Sequence, residues 1–169
     1  MKKRKLGLGI ALMTVLALHA HGQQYTAEAD FRWAVMDNRM IITGYTGTST
    51  VVRIPPQIQG MDVFAIGAEV FTGRGLTSIS IPNGVILIGD MAFANNPLTE
   101  VTIPDSVIHI GNMTFLNNPP VASITIGNNI ENIGQLAFAG GFESFFNANG
   151  RRAGTYTRSS TNNWSFQPR

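Results

Sequence analysis

Leu76 to Pro97 reads LTSISIPNGVILIGDMAFANNP, and the chain repeats this text twice more. Leu98 onward is LTEVTIPDSVIHIGNMTFLNNPP, and Val121 onward is VASITIGNNIENIGQLAFAGG. The Ile-Gly pair falls at Ile66, Ile88, Ile110 and Ile133, with spacings of 22, 22 and 23. Phe71, Phe93, Phe115 and Phe138 keep the same step. Two residue types held in phase four times mark a repeat architecture, in which each unit is one structural coil.

The grammar of a unit is physical. Leu76, Ile79 and Ile81 set up a short strand with alternate side chains inward. Pro82 ends it, because it has no N–H for a ladder. Asn83-Gly84 turns the chain. Val85 and Ile88 point back inward, and Gly89 permits a corner. Asp90 to Ala94 predicts a single helical or 3₁₀ turn that carries Ala92 and Phe93 to the interior. Asn95-Asn96-Pro97 leads into the next strand. One coil buries too little apolar surface to offset its own ordering entropy. Coils must therefore stack, joining their strands into a parallel sheet and sharing a core column of Phe71, Phe93, Phe115, Phe138, Ile66, Ile88, Ile110 and Ile133. The expected fold class is α/β: a right-handed solenoid with a short parallel β-sheet, short helical or 3₁₀ turns on the opposite face, and β-hairpin caps.

Working outward, four regions are expected. Residues 1–22 have the layout of a secretory signal peptide. Lys2, Lys3, Arg4 and Lys5 precede an apolar run from Leu6 to Leu18, and Ala20-His21-Gly22 offers a small-residue cleavage site. That run is short of the ~20 residues of a membrane span, so no span is expected after cleavage. Residues 23–48 form an N-terminal capping hairpin: Phe31, Trp33 and Val35 alternate, Asp37-Asn38 turns, and Met40 to Ile42 returns. Residues 49–147 hold about four coils plus a final strand at Phe142 to Phe146. In the lead-in coil the stretch from Ile54 to Ile66 is five residues longer than that from Ile81 to Ile88, which predicts a small loop around Gly60. Residues 148–169 form a C-terminal hairpin with its turn at Ser159–Asn163.

At this point the residues carry a resemblance. The pattern LTxIxIPxxVxxIGxxAFxxN resembles the BspA-type bacterial leucine-rich repeat, a class of 22–23 residues. The lead-in IITGYTGTSTVVRIPPQIQGMDVFAIGAEVF is similar to the family's first coil, and GRRAGTYTRSSTNNW to the closing segment of spirochaete-type members. The resemblance covers about residues 31–166. Gly127 in place of the strand-ending Pro, and Thr114 in place of Ala, depart from the pattern. The resemblance implies a secreted, cell-surface or periplasmic protein that binds an extracellular or surface protein, with adhesion to host matrix or other cells as its implied role.

Composition excludes several classes. There is no Cys among the 169 residues, hence no disulfide scaffold, zinc finger or thiol nucleophile. Signal cleavage would take four of the 12 basic residues and none of the ten acidic ones, leaving eight Arg and a net formal charge of −2. A nucleic-acid or anionic-lipid partner is not expected at that balance. No catalytic, metal or cofactor site is expected, and none is assigned. His109 stands alone in a slot filled by Leu87 and Asn132 in neighbouring coils, whereas a catalytic or ligating His needs placed partners. Asn83, Asp105 and Asn128 form a column of turn residues. No Gly-x-Ser-x-Gly elbow is present. Glu100 and Asp105 fall at different stations of one coil, unlike a facing carboxylate pair. Arg151-Arg152 reads as a solvated turn. Asn112-Met113-Thr114 and Asn163-Trp164-Ser165 match a glycosylation pattern that a bacterial protein would not use.

The outward strand positions remain as the candidate binding face: Arg53, Ser78, Ser80, Glu100, Thr102, Ser123 and Thr125. Stacked, they make a small hydroxyl-bearing surface. The sequence alone points to an exported, non-catalytic protein-binding module. A structural or assembly component of the cell envelope, or a weak glycan-binding module, is the alternative.

Overall fold

The protein is described by a computed structural model covering residues 24–119, 121–161 and 163–169; the signal-peptide expectation lies outside the described residues. β1 (Phe31–Met36) and β2 (Arg39–Tyr45) form an antiparallel hairpin. Asp37 and Asn38 turn it with φ of 49° and 58°, the left-handed pair that suits the twist of a tight hairpin. β3 (Val51–Arg53) opens the first coil. β4 (Gln57–Ile58) and β5 (Met61–Ile66) form a second hairpin through Gln59-Gly60, which accommodates the longer lead-in.

Each later coil adds two strands. These are β6 (Ser78–Ser80) with β7 (Leu87–Ile88), β8 (Glu100–Ile103) with β9 (His109–Ile110), and β10 (Ser123–Ile126) with β11 (Asn132–Ile133). The chain closes with α1 (Phe142–Ala148), β12 (Gly154–Arg158) and β13 (Trp164–Pro168). The fold is a β-solenoid with two strand-bearing sides. On the first, β3 pairs β6 in parallel, β8 pairs β10 in parallel, and β12 and β13 continue beyond β10 as an antiparallel hairpin. The second side runs β1-β2-β5-β7-β9-β11, parallel from β2 onward.

The third side is made of turns rather than of a regular helical face. Among the described residues no regular helix or 3₁₀-helix spans Asp90 to Ala94 or the matching places, but single turns form there: Ala92 N–H donates to Gly89 O at 3.4 Å, Ala94 N–H to Met91 O at 3.1 Å, and Leu116 N–H to Met113 O at 3.0 Å. The alternate backbone donors point along the solenoid. Met91 N–H donates to Asn112 O at 2.9 Å, Phe93 N–H to Thr114 O at 2.9 Å, and Asn95 N–H to Leu116 O at 2.8 Å. The same ladder links Phe71 N–H to Ala92 O and Phe115 N–H to Ala137 O, both at 2.8 Å. Glu69, Met91, Met113 and Leu136 bend this strip with φ between 54° and 59°. Donors thus alternate between a turn bond within the coil and a ladder bond to the next coil, and both sets are satisfied.

The core is a file of aromatic rings. Phe71, Phe93, Phe115 and Phe138 are buried and stack at 5.3, 5.2 and 4.8 Å between centroids, with ring planes within 13° of parallel. Phe31 and Tyr45 close the file at one end. Phe142, Phe146, Tyr156, Trp164 and Phe166 close it at the other. Ile66, Ile88 and Ile110 are buried, but Ile133 is half-buried because no further coil covers it. The corner glycines permit close approach of the coils: a Cβ on Gly111 would lie 2.5 Å from Asp90 N, and one on Gly134 2.5 Å from Asn112 N.

Two buried amides bind the coils further. Asn96 Nδ2 donates to the carbonyls of Phe71, Phe93 and Ala94 at 2.8, 2.9 and 3.1 Å, and its Oδ1 accepts Leu76 N–H at 2.9 Å. Asn118 repeats the arrangement one coil on. Thr114, the departure from Ala, is buried and donates its hydroxyl to Gly111 O at 2.8 Å, so the extra oxygen is satisfied.

The solenoid ends in groups that replace a further coil. The final strand expected at Phe142 to Phe146 is the helix α1: Phe142, Phe145 and Phe146 sit at helical spacing, and Phe142 and Phe146 are buried by it. Glu143 Oε1 accepts Phe138 N–H at 2.9 Å, the role Ala137 O plays for Phe115. The Arg151 guanidinium donates to Glu131 O, whereas the equivalent Ile108 O receives Glu131 N–H. β12 covers β10.

Candidate binding face

The first strand-bearing side is built by period-two alternation. Val52, Ile81, Val101, Ile103, Ile124, Ile126 and Tyr156 turn inward and are buried. The residues between them turn outward in two rows. Register places Val51 beside Ser78, Glu100 beside Ser123, Ser123 beside Thr157, and Thr157 beside Ser165. The second row places Arg53 beside Ser80, Thr102 beside Thr125, Thr125 beside Thr155, and Thr155 beside Gln167. Arg53, Ser78, Glu100 and Thr102 are exposed; Ser80, Ser123 and Thr125 are half-buried. All seven residues of the expected face thus share one side, with Arg53 at its N-terminal end.

Four further residues extend the face and were not foreseen: Thr155, Thr157, Ser165 and Gln167. The alternation in Gly154-Thr-Tyr-Thr-Arg158, with Tyr156 inward, was the available signal. Thr125 Oγ1 lies 3.1 Å from Thr155 Oγ1, and Thr157 Oγ1 lies 2.6 Å from Ser165 Oγ. Side chains with one rotatable link between backbone and hydroxyl lose little freedom on contact. Each hydroxyl both donates and accepts. The face can therefore receive backbone or polar groups of a partner, and it carries only two charges, Arg53 and Glu100.

The other candidates serve structure. His109 is exposed between Leu87 and Asn132 on the second strand-bearing side. Among the described residues no three His, Cys, Asp or Glu side chains converge as metal ligands. Asp105 Oδ1 accepts Asn128 N–H at 3.1 Å and the Arg169 guanidinium at 3.0 Å, so its column is cross-coil turn bonding. Arg152 donates to Asn149 O at 3.1 Å and covers the Phe166 ring at 4.5 Å. With Arg151 on Glu131 O, both guanidinium groups are engaged by the end cap. In the Asn112 sequon Thr114 is buried, and Asn112 Oδ1 accepts Gln135 N–H at 2.9 Å. Burial raises the pKa of two tyrosines above the ordinary value near 10, Tyr45 and Tyr156, one at each end of the aromatic file.

Comparison with known proteins agrees with this geometry. The BspA type leucine rich repeat region matches residues 57–148 in six copies, more than half of the chain. No curated protein is similar enough in sequence to match. The crystal structure of a T. pallidum leucine rich repeat protein is similar in fold, with a TM-score of 0.53 and 23% identity over 69% of this chain and 67% of that one. A leucine rich cell surface protein from Faecalibacterium prausnitzii aligns over 85% of this chain and 61% of its own, at 14% identity and a TM-score of 0.31. The repeat period, the stacked rings and the matched span have one reading: this chain belongs to the BspA-type leucine-rich-repeat family.

Proposed function

We propose that the protein is exported, has no catalytic role, and binds an extracellular or surface protein through the hydroxyl face of its first strand-bearing side. The observation that carries the proposal is the pair of outward rows from Arg53 and Ser78 to Gln167 and Ser165, polar apart from Val51 and supported on stacked coils whose strands pair on either side of a break between β6 and β8. Binding hot spots favour Trp, Tyr and Arg, and Arg53 alone represents them on this face. One copy therefore binds weakly, and adhesion to matrix or neighbouring cells relies on several copies acting together.

The test is capture of extracellular-matrix proteins and intact neighbouring cells by the immobilised protein, beside the variants Thr102→Arg and Thr125→Arg. The variants are expected to melt within a degree or two of the parent and to lose capture. Capture that survives both substitutions removes this face from the proposal. Silence of the parent across a broad panel at micromolar concentration defeats the adhesive role, and cross-linking to an envelope protein in intact cells would then assign it to assembly.

A further inference from the structure

The two strand-bearing sides have four outer strand edges, besides the unpaired edges with which β6 and β8 face each other inside the first side, and the described residues blunt three of the outer four. At β3, Thr26 N–H donates to Arg53 O at 2.9 Å and Thr26 Oγ1 accepts Arg53 N–H at 2.9 Å. Arg151 occupies the outer edge next to β11. β13 ends in Pro168, which has no N–H to offer. The edge of β1 has no such guard. Its residues 32–36 are exposed and, among the described residues, make no backbone hydrogen bond beyond the pairing with β2. This edge is also apolar: Trp33, Val35 and Met36 are 42%, 50% and 51% exposed. An edge that exposes residues 32–36, with Arg32 as its one charge and, among the described residues, no Lys, Pro or covering segment, is a template for strand addition.

We propose that a second copy of this chain covers this edge, β1 pairing antiparallel with the partner's β1 about a two-fold axis at Ala34. A two-fold perpendicular to the sheet keeps each residue on its own face, and the register centred on Ala34 is self-complementary. Trp33 then lies opposite the partner's Val35, and Val35 opposite the partner's Trp33, on the same face. Arg32 lies opposite the partner's Met36, which lets its aliphatic stem pack there. Its guanidinium comes one position from the partner's Asp37, and symmetry repeats this contact. No like charges are directly opposed. Ala34, the smallest side chain of the strand, sits on the axis. A foreign peptide would meet the same edge, but this pairing of apolar and opposite charges is supplied by the strand itself.

Trp33, Val35 and Met36 leave on the order of 300 Å² of apolar surface per copy, against roughly 800 Å² per partner in a standard stable interface. The dimer accordingly belongs to the weak, concentration-dependent class. It joins two second-side sheets into one and presents two hydroxyl faces to a multivalent surface.

Sedimentation velocity of the purified protein from micromolar to near-millimolar concentration tests this. The parent is expected to show reversible monomer–dimer exchange. Trp33→Glu and Val35→Lys, each at an exposed position, are each expected to raise the dimer Kd about tenfold, since two cross-strand pairs are lost by symmetry. The double variant Trp33→Glu/Val35→Lys is expected to recover dimerisation, because its new charges face each other across the axis. A parent that stays monomeric, single variants that dimerise like the parent, or a double variant that fails to recover would each overturn the proposal. Should a single variant unfold, hydrogen exchange of the parent decides: amides of residues 32–36 slow as concentration rises, and rates independent of concentration reject the pairing.

Discussion

Phe93→Ala tests the aromatic file where it is most regular. The ring has no exposed surface and lies 5.3 Å from Phe71 and 5.2 Å from Phe115, with interplanar angles of 7° and 13°. Transfer of the ring from water is worth about 2–3 kcal/mol. Two stacked contacts add ~0.5–1.5 kcal/mol each. The sum of ~3–6 kcal/mol overlaps the ~3–5 kcal/mol typical of truncating a buried aromatic. That is a large part of the ~5–15 kcal/mol that holds a typical domain, and with no Cys in the chain no disulfide supplements it. Urea unfolding followed by circular dichroism gives the loss from the midpoint at constant slope. Leu87→Ala, at a side chain 41% exposed, is the control and is expected to change stability by less than ~0.5 kcal/mol. The double variant Phe93→Ala/Phe115→Ala should lose less than the two single losses combined, by about 1 kcal/mol, because the rings share one contact. A loss under ~1 kcal/mol for Phe93→Ala, or strict additivity of the pair, would refute the idea that stacked rings hold the coils together.

Three further outcomes are expected. Asn96→Ala should cost at least ~2–3 kcal/mol, because Leu76 N–H and the Phe71 and Phe93 carbonyls lose a buried partner; Asn96→Asp should cost more in a thermal melt, since it turns an acceptor towards those carbonyls. Glu143→Ala should speed hydrogen exchange at Phe138 by exposing its amide, while Glu143→Gln, which keeps an acceptor oxygen, should change it little. Tyr45 and Tyr156 have pKa values raised by burial, so their contribution is complete below the unfolded value near 10 and is lost as pH rises through the folded values. Unfolding free energy followed from about pH 9 to about pH 12 should fall, and Tyr45→Phe/Tyr156→Phe should flatten that fall.

The period and the ring column were legible because each rests on one residue type at a fixed step, from Phe71 to Phe138. The hairpin turned by Asp37-Asn38 and the loop around Gly60 were legible because left-handed turns restrict which residues can occupy them. The strip from Asp90 to Ala94 was legible only in part. Asp-Met-Ala-Phe-Ala suits a turn by local preference, and Ala94 N–H bonds Met91 O accordingly, but the alternate donors reach the carbonyls of Asn112 and Thr114, some twenty residues away, which a local reading does not see. The segment Phe142 to Phe146 was legible but misread. Phe142, Phe145 and Phe146 at i, i+3 and i+4 are the helical signature, and Gly140-Gly141 breaks the coil before them. The outward rows that make up the proposed face were half legible. Ser78 to Thr125 followed from the repeat, while Thr155, Thr157, Ser165 and Gln167 belong to strands outside it. The buried amides of Asn96 and Asn118 also kept the 22-residue step, yet Asn in a turn has a sufficient local explanation.

The closing groups Glu143 and Arg151 have a consequence for how such a protein changes length over generations. A block of 22 residues inserted between two existing coils brings its own complete set of amides, carbonyls and ring, and leaves both termini untouched. The same block appended after α1 would meet a carboxylate and a guanidinium already bonded to the last coil, and would find no ladder to join. Duplication between coils is therefore expected to keep the fold, whereas a coil added beyond α1 is not.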